Sequence, residues 1–218
     1  MRYTTLLAAV ALVASPAQAQ NAPQPVSITP RLDTPQVRVI VATLQPRMPV
    51  NARTGHATDR VVIYLDDGVM TRSAGDSAGN SAGNSTARIE FRRGDVRWVP
   101  ASGPYIAENL SDRPIRILEV DLKGPPGASA AASKLDPAAV DSTHYKVEFE
   151  NEHVRVLRVH YGPREKGALH EHLLNRVVLY LNDHPNAKAD DVRVAGPATH
   201  TEENASDQPV DRIAVEIK

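Results

Sequence analysis

The chain has 218 residues, with 25 basic and 26 acidic side chains, a formal net charge of −1 at pH 7, and no cysteine. The balanced charge excludes the basic surface expected of a protein that binds nucleic acid or an anionic membrane. The lack of cysteine excludes disulfides, thiolate catalysis and sulfur ligands for a metal.

The N-terminal residues 1–19 have the pattern of a secretory signal peptide. Arg2 supplies a positive charge, Leu6–Ala14 form an apolar run too short to span a bilayer, and an Ala-Gln-Ala cleavage motif ends at Ala19. We expect cleavage after Ala19 and a periplasmic or secreted mature chain. No later segment is apolar enough to insert into a membrane, and residues 20–35 form an N-terminal extension.

Residues 36–123 are predicted to form a first, all-β domain, because short β-branched runs alternate with Gly, Pro, Asn and Asp. Strands are predicted at Val37–Leu44, Val61–Leu65, Arg88–Arg92, Val96–Val99 and Ile115–Leu122.

The segment Ser73–Thr86, SAGDSAGNSAGNST, predicts a mobile and dispensable hairpin tip, since it buries too little apolar surface to offset its ordering entropy. Trp98 and Tyr105 are predicted to fill the domain interior. A linker rich in Ala, Pro and Ser follows at residues 124–143.

Residues 144–218 repeat the first domain. Residues 153–181 match residues 36–65 with one gap, and ENASDQPVDRIAVEIK at 203–218 matches ENLSDRPIRILEVDLK at 108–123 without a gap. The corresponding strands are predicted at Val154–Tyr161, Val177–Leu181 and Ile213–Ile217. This second copy lacks the Ser-Ala-Gly segment and its adjoining strand, which predicts a more open site.

Only the second copy has three histidines placed for metal binding. His170 and His172 alternate at the end of a strand, so both imidazoles lie on one face, and His200 would come from a neighbouring strand. Three neutral imidazoles suit a divalent ion such as Fe, Mn, Zn, Ni or Cu and leave positions open for substrate. The alternative is a pair of exposed polar residues at a strand end. The first copy has Thr54, His56 and Tyr105 at these positions. Its site is therefore predicted to be lost.

The chain resembles a secreted bacterial bicupin. In the second copy, the first cupin motif is matched by Gly162, Pro163, His170 and His172, and the second motif by His200 and Asn204. In the first copy, the second motif is matched by Gly94, Pro100, Gly103 and Asn109. The resemblance implies two tandem cupin jelly-roll barrels, the second shortened by a hairpin, with a divalent metal ion on His170, His172 and His200. It is far less specific for function, because cupins include dioxygenases, isomerases, decarboxylases and sugar-sensing domains.

The second copy departs from the cupin pattern where a fourth, glutamate ligand is expected. Residues 173–176, Leu-Leu-Asn-Arg, contain no carboxylate. Arg176 recurs in the first copy as Arg60, which favours a structural role or the orientation of a substrate carboxylate over metal binding.

Two functions remain open from the sequence. One is a metal-dependent enzyme, such as a dioxygenase or isomerase, that acts on a small polar substrate oriented by Arg176. The other is a non-catalytic periplasmic module that binds a small ligand or a partner chain. A homodimer is compatible with either function.

Overall fold

The computed structural model describes residues 24–127 and 133–218, and these are all-β apart from one short helix. The predicted signal peptide lies outside the described residues. No helix in the described part is long and apolar enough to cross a membrane. The first half contains β1 Val26–Asp33, β2 Val37–Leu44, β3 Pro49–Ala52, β4 Arg60–Tyr64, β5 Gly68–Gly75, β6 Ser81–Phe91, β7 Val96–Val99, β8 Tyr105–Asn109 and β9 Ile115–Leu122. The second half contains α1 Pro137–Val140, β10 Tyr145–Glu150, β11 Val154–Tyr161, β12 His170–His172, β13 Arg176–Tyr180, β14 Val192–Ala195, β15 Ala198–His200 and β16 Val210–Ile217.

The two halves contain five-stranded antiparallel sheets of matching order. The first sheet runs β1-β2-β9-β4-β7, and the second runs β10-β11-β16-β13-β14. Because each strand has its counterpart at the same place, the sequence repeat is also a structural repeat. The N-terminal extension contributes to it: β1 pairs with β2 from Val26 opposite Leu44 to Asp33 opposite Arg38.

The remaining strands differ between the halves. The first half has a four-stranded sheet of order β3-β8-β5-β6, whereas the second has only the pair β12-β15. Between β13 and β14 the chain makes a single isolated bridge, His184 with Ala187, where the first half inserts the β5–β6 hairpin. The deletion predicted from the sequence is thus a missing hairpin arm.

The main apolar core lies between the two five-stranded sheets. On β9, Leu118, Val120 and Leu122 join this core, while Glu119 and Asp121 alternate with them and face the first-half interior. The second half contributes Val154, Val156, Val177, Leu179, Ile213, Val215 and Ile217. Each buried Val or Leu contributes about 1.5–3 kcal/mol relative to an exposed one. Each half therefore covers an apolar sheet face of the other.

Trp98 corrects one prediction. It lies on β7 and packs against this inter-sheet core, with its ring stacked on His153 of the second half at a centroid distance of 5.2 Å. The prediction that Trp98 fills the first-half interior is wrong, because β7 turns this side chain to the opposite face. Tyr105, in contrast, does pack with the interior residues of the first half.

The Ser73–Thr86 segment is more regular than its composition predicts. β5 continues to Gly75 and β6 begins at Ser81, so the turn between the strands spans only residues 76–80. Asp76 organises this turn, since its carboxylate accepts a hydrogen bond of 2.8 Å from the backbone N–H of Asn80. The segment is ordered by backbone hydrogen bonds between β5 and β6 and between β5 and β8, and not by burial of its side chains.

Candidate metal centre

The short strands β12 and β15 bring the three predicted histidines together. His170 lies directly opposite His200 in the antiparallel register, and His172 lies two residues along on the same face. The ligand nitrogens of the three imidazoles all lie within 4.8 Å of one another. His170 and His172 are buried, so the alternative of exposed polar residues at a strand end does not describe them.

Two of the three imidazoles are held by acceptors on their far nitrogens. The Nδ1–H of His170 donates to the Ala168 carbonyl at 2.9 Å, and Nδ1 of His172 lies 2.8 Å from Oε1 of Glu216. Both acceptors fix the proton on Nδ1 and leave the Nε2 lone pair for a metal. Asp141 supports the first contact, because its Oδ2 accepts a 3.0 Å hydrogen bond from the Ala168 N–H.

This donor set fits a divalent transition metal. Nε2 of His170 lies 3.0 Å from Nε2 of His200, a separation at which two lone pairs repel unless a proton or a cation lies between them. Burial lowers the pKa of both His170 and His200 below the usual histidine value, which favours the neutral, ligating form. Three converging neutral nitrogens can therefore hold a metal ion.

Tyr145, Glu202 and Arg212 line the same site and were missed by the sequence analysis. The Tyr145 hydroxyl donates to Oε2 of Glu202 at 2.8 Å and lies 3.1 Å from Nε2 of His170. Burial would raise the pKa of Glu202, but hydrogen bonds from Arg212 and Tyr145 lower it below its usual value. An anionic Glu202 holds the single Tyr145 proton, which keeps Nε2 of His170 free. The only signal for Glu202 was its position two residues after His200.

Arg176 lies at this site, but one of its hydrogen-bond donors is used by a backbone carbonyl. Its side chain is buried and donates from Nη1 to the Gly196 carbonyl at 2.6 Å. Burial also lowers the pKa of this guanidinium. The counterpart in the first half, Arg60, instead pairs with Glu119 and with Asp121, the latter at 3.2 Å. The two equivalent arginines therefore have different partners.

A cavity of about 180 Å³ adjoins the histidines. Three arginines, Arg176, Arg193 and Arg212, line it against a single carboxylate, Glu202. Glu171, between the two motif histidines, points away from the cavity and accepts a 2.7 Å hydrogen bond from Ser133. The excess of positive charge favours an anionic group in this cavity.

The equivalent place in the first half lacks a triad. Nε2 of His56 lies 2.6 Å from the Tyr105 hydroxyl, which occupies the position of His200. Among residues 24–127 and 133–218, the only cluster of three metal-binding side chains is His170, His172 and His200.

Compared by sequence, the chain matches no family model and no curated protein. Solved structures do match its fold. A cupin 2 conserved barrel domain protein from Leptotrichia buccalis superposes with a TM-score of 0.54 and 12% identity over 88% of this chain and 89% of its own. AerE from Microcystis aeruginosa gives a TM-score of 0.56 and 11% identity over 88% and 97%.

Oxalate decarboxylase from Bacillus subtilis is also similar in fold. One of its structures, which concerns the Mn(II) centres of that enzyme, gives a TM-score of 0.55 and 13% identity over 88% of this chain and 75% of its own. At such low identity the likeness concerns the fold and not the activity. The all-β fold of this chain is therefore similar to that of these solved structures, one of which is a cupin barrel domain protein.

Proposed function

We propose that this chain is a two-barrel cupin of the bacterial envelope that binds one divalent metal ion on His170, His172 and His200. The observation that carries the proposal is the convergence of three imidazoles whose ligand nitrogens lie within 4.8 Å. The acceptors on Nδ1 of His170 and His172 strengthen it, because they orient Nε2 toward the common point. The repeated sheet order supports two barrels, and the signal-like N-terminus supports export.

The activity that this site favours is metal-dependent chemistry on a small carboxylate. When bound, the metal would supply Lewis acidity or oxygen activation at the three histidines. Arg212 has a buried Nε without a hydrogen-bond partner among the described residues, and it lines the cavity with Arg176. These two guanidinium groups can bind and orient the carboxylate. Burial and the neighbouring Glu202 raise the pKa of Tyr145, so its hydroxyl keeps its proton and donates a hydrogen bond to Glu202.

The metal proposal is tested by analysis of protein purified from the periplasm. We expect about one divalent ion per chain and a loss of affinity of about 10-fold or more in His170→Ala and in His200→Ala, since either change removes a ligand. His160→Ala is the matched control, because His160 is exposed and pairs with Asp211 at 2.7 Å away from the triad. Equal metal content in the wild type and the triple alanine variant of His170, His172 and His200 would contradict the proposal.

The second candidate function, binding without turnover, is favoured by the hydrogen bond that ties Arg176 to the Gly196 carbonyl. Substrate depletion and oxygen consumption, measured with metal-loaded protein and a panel of small carboxylates, distinguish the two. Turnover that the triple variant loses supports the enzyme. Thermal stabilisation by a carboxylate without turnover supports the binding module.

A further inference from the structure

The first half encloses a cavity of about 610 Å³, far larger than the cavity of about 180 Å³ beside the histidines. It lies between the five-stranded sheet β1-β2-β9-β4-β7 and the four-stranded sheet β3-β8-β5-β6. Ligand-binding pockets in proteins are typically about 300–1,000 Å³ in volume. The half without metal ligands therefore has the space for an organic molecule.

The wall of this cavity is apolar over part of its length. Tyr64, Met70 and Ile117 belong to the interior apolar cluster and line the cavity. On β9 the inward positions then change from Ile117 to Glu119 and Asp121, because alternate residues of a strand face the same side. The lining thus has an apolar region and a charged region.

The charged region has more cations than anions. Five basic residues line the cavity, Arg38, Arg60, Arg72, Arg97 and Lys123, against the two carboxylates of Glu119 and Asp121. Arg60 pairs with both carboxylates and is itself only 5% exposed. Its Nε and Oδ1 of Asp121 have no hydrogen-bond partner among the described residues. Burial lowers the pKa of His56 to about 4, so this imidazole is neutral near pH 7.

Of the five basic residues, Arg60 pairs with Glu119 and Asp121, and Lys123 pairs with Asp33. Arg38, Arg72 and Arg97 form no ion pair within residues 24–127 and 133–218, and Arg38 lies near enough to Asp121 for its charge to oppose the rise in pKa that burial causes in that carboxyl group. Arg72 lies 4.0 Å above the Tyr105 ring and donates to the Ser102 hydroxyl at 3.0 Å, while Arg97 lies 6.0 Å from the Tyr64 ring. Burial raises the pKa of Tyr64, and the charges of Arg72 and Arg97 both act to lower it, so both arginines lie close to this ring. Both guanidinium groups therefore lie near the Tyr64 end of the apolar wall.

We propose that the first-half cavity binds a small amphipathic organic anion, with its acidic head at Arg72 and Arg97 and its aliphatic or aromatic body against Tyr64, Met70 and Ile117. A cation is disfavoured because Glu119 and Asp121 are already paired with Arg60. This site shares no residue with the histidine triad. The inference therefore stands independently of the metal proposal.

The test uses two fluorescent probes that share an aromatic body. The anion 1-anilinonaphthalene-8-sulfonate and its uncharged analogue N-phenyl-1-naphthylamine are titrated into the full chain. We expect saturable binding of both probes, and a loss of affinity for the anion of about 10-fold or more in Arg72→Gln and Arg97→Gln, because a charged hydrogen bond is lost. Affinity for the uncharged probe should change little. Octanoate should displace the anionic probe at a lower concentration than octanol does.

Three further variants locate the site. Arg88→Gln is the matched control, since Arg88 is an exposed arginine of the same hairpin and its side chain is 59% exposed. Arg72→Lys should retain part of the affinity, which separates loss of charge from misfolding. The His170→Ala variant should bind the anionic probe as the wild type does. Equal anion affinity in the double variant Arg72→Gln/Arg97→Gln, or binding lost in His170→Ala, would overturn the inference.

Discussion

At the scale of single residues, Glu216 shows how one strand position acquires different roles in the two halves. Asp121 occupies the equivalent position in the first half and pairs with Arg60. Glu216 instead faces Nδ1 of His172, and its side chain is only 4% exposed. A buried carboxylate that accepts from a ligating imidazole fixes the ring and increases its basicity. Glu216 is thus a positioning residue for the proposed metal centre.

We expect Glu216→Gln to lower metal affinity by about 10-fold to 100-fold, because the neutral amide is a weaker acceptor for the His172 imidazole. Calorimetric titration of the metal-free protein measures the change. Glu203→Gln is the control, since Glu203 is 55% exposed and contacts Lys166 at 3.7 Å on the surface. Unchanged affinity in Glu216→Gln would show that His172 does not depend on this carboxylate.

The histidine pKa shifts predict how metal affinity depends on pH. Burial holds the pKa of His170 and His200 below 6.5 in the folded chain, while the unfolded chain titrates near 6.5. The unfolded state therefore binds more protons in this range, so stability is full above pH 6.5 and falls as the pH drops through the folded pKa values. Protonation of His170 and His200 should therefore weaken metal binding only below pH 6.5. Calorimetric titrations at a series of pH values test this, and an affinity that is already mostly lost above pH 6.5 would contradict it.

At the scale of elements, the β5–β6 hairpin combines a removable turn with strands that support the first-half site. Gly79 in the turn has φ +89°, a left-handed conformation that glycine adopts without strain. Ala74, in contrast, pairs with Tyr105 of β8, and Ser73 pairs with Ile106. The turn and the strands should therefore respond differently to deletion.

Replacing residues 76–80 with an Asn-Gly turn should shift the melting temperature by no more than about 2–4 °C, the change that about 1 kcal/mol produces in a chain of this size. Deleting the whole segment from Ser73 to Thr86 should lower it further, because β8 loses backbone partners beside Tyr105. Thermal melts of both variants provide the comparison. A larger loss from the shorter deletion would show that the turn itself packs on the protein.

At the scale of the whole molecule, the inter-sheet core makes each half dependent on the other. Its apolar residues come from both sheets, and Arg93 of the first half reinforces the contact by pairing with Asp190 at 2.6 Å. Separation would expose Val154, Val156, Leu179 and Val215 to water. A small domain without disulfides has a low free energy of unfolding, which the cost of such exposure would exceed.

The fragment from Asp141 to Lys218, expressed alone, should therefore be insoluble or lack a cooperative melt. Circular dichroism and metal titration of the fragment measure this directly. In the full chain, the single tryptophan, Trp98, reports on the same contact, and its fluorescence should change in Val215→Asp. A fragment that melts cooperatively and binds metal as the full chain does would contradict the proposed mutual support.

The sequence alone determined the repeat, the positions of most strands and the three histidines. These depend on local spacing: alternation along a strand places His170 and His172 on one face whatever surrounds them. Only the tertiary structure determined which side chains pack against each face of the strands. Trp98 lies between the halves, Tyr145 and Glu202 meet at the triad, and Arg72 and Arg97 face a large cavity. These contacts join residues far apart in the chain, and the period of two residues in a strand does not reveal which partner lies opposite.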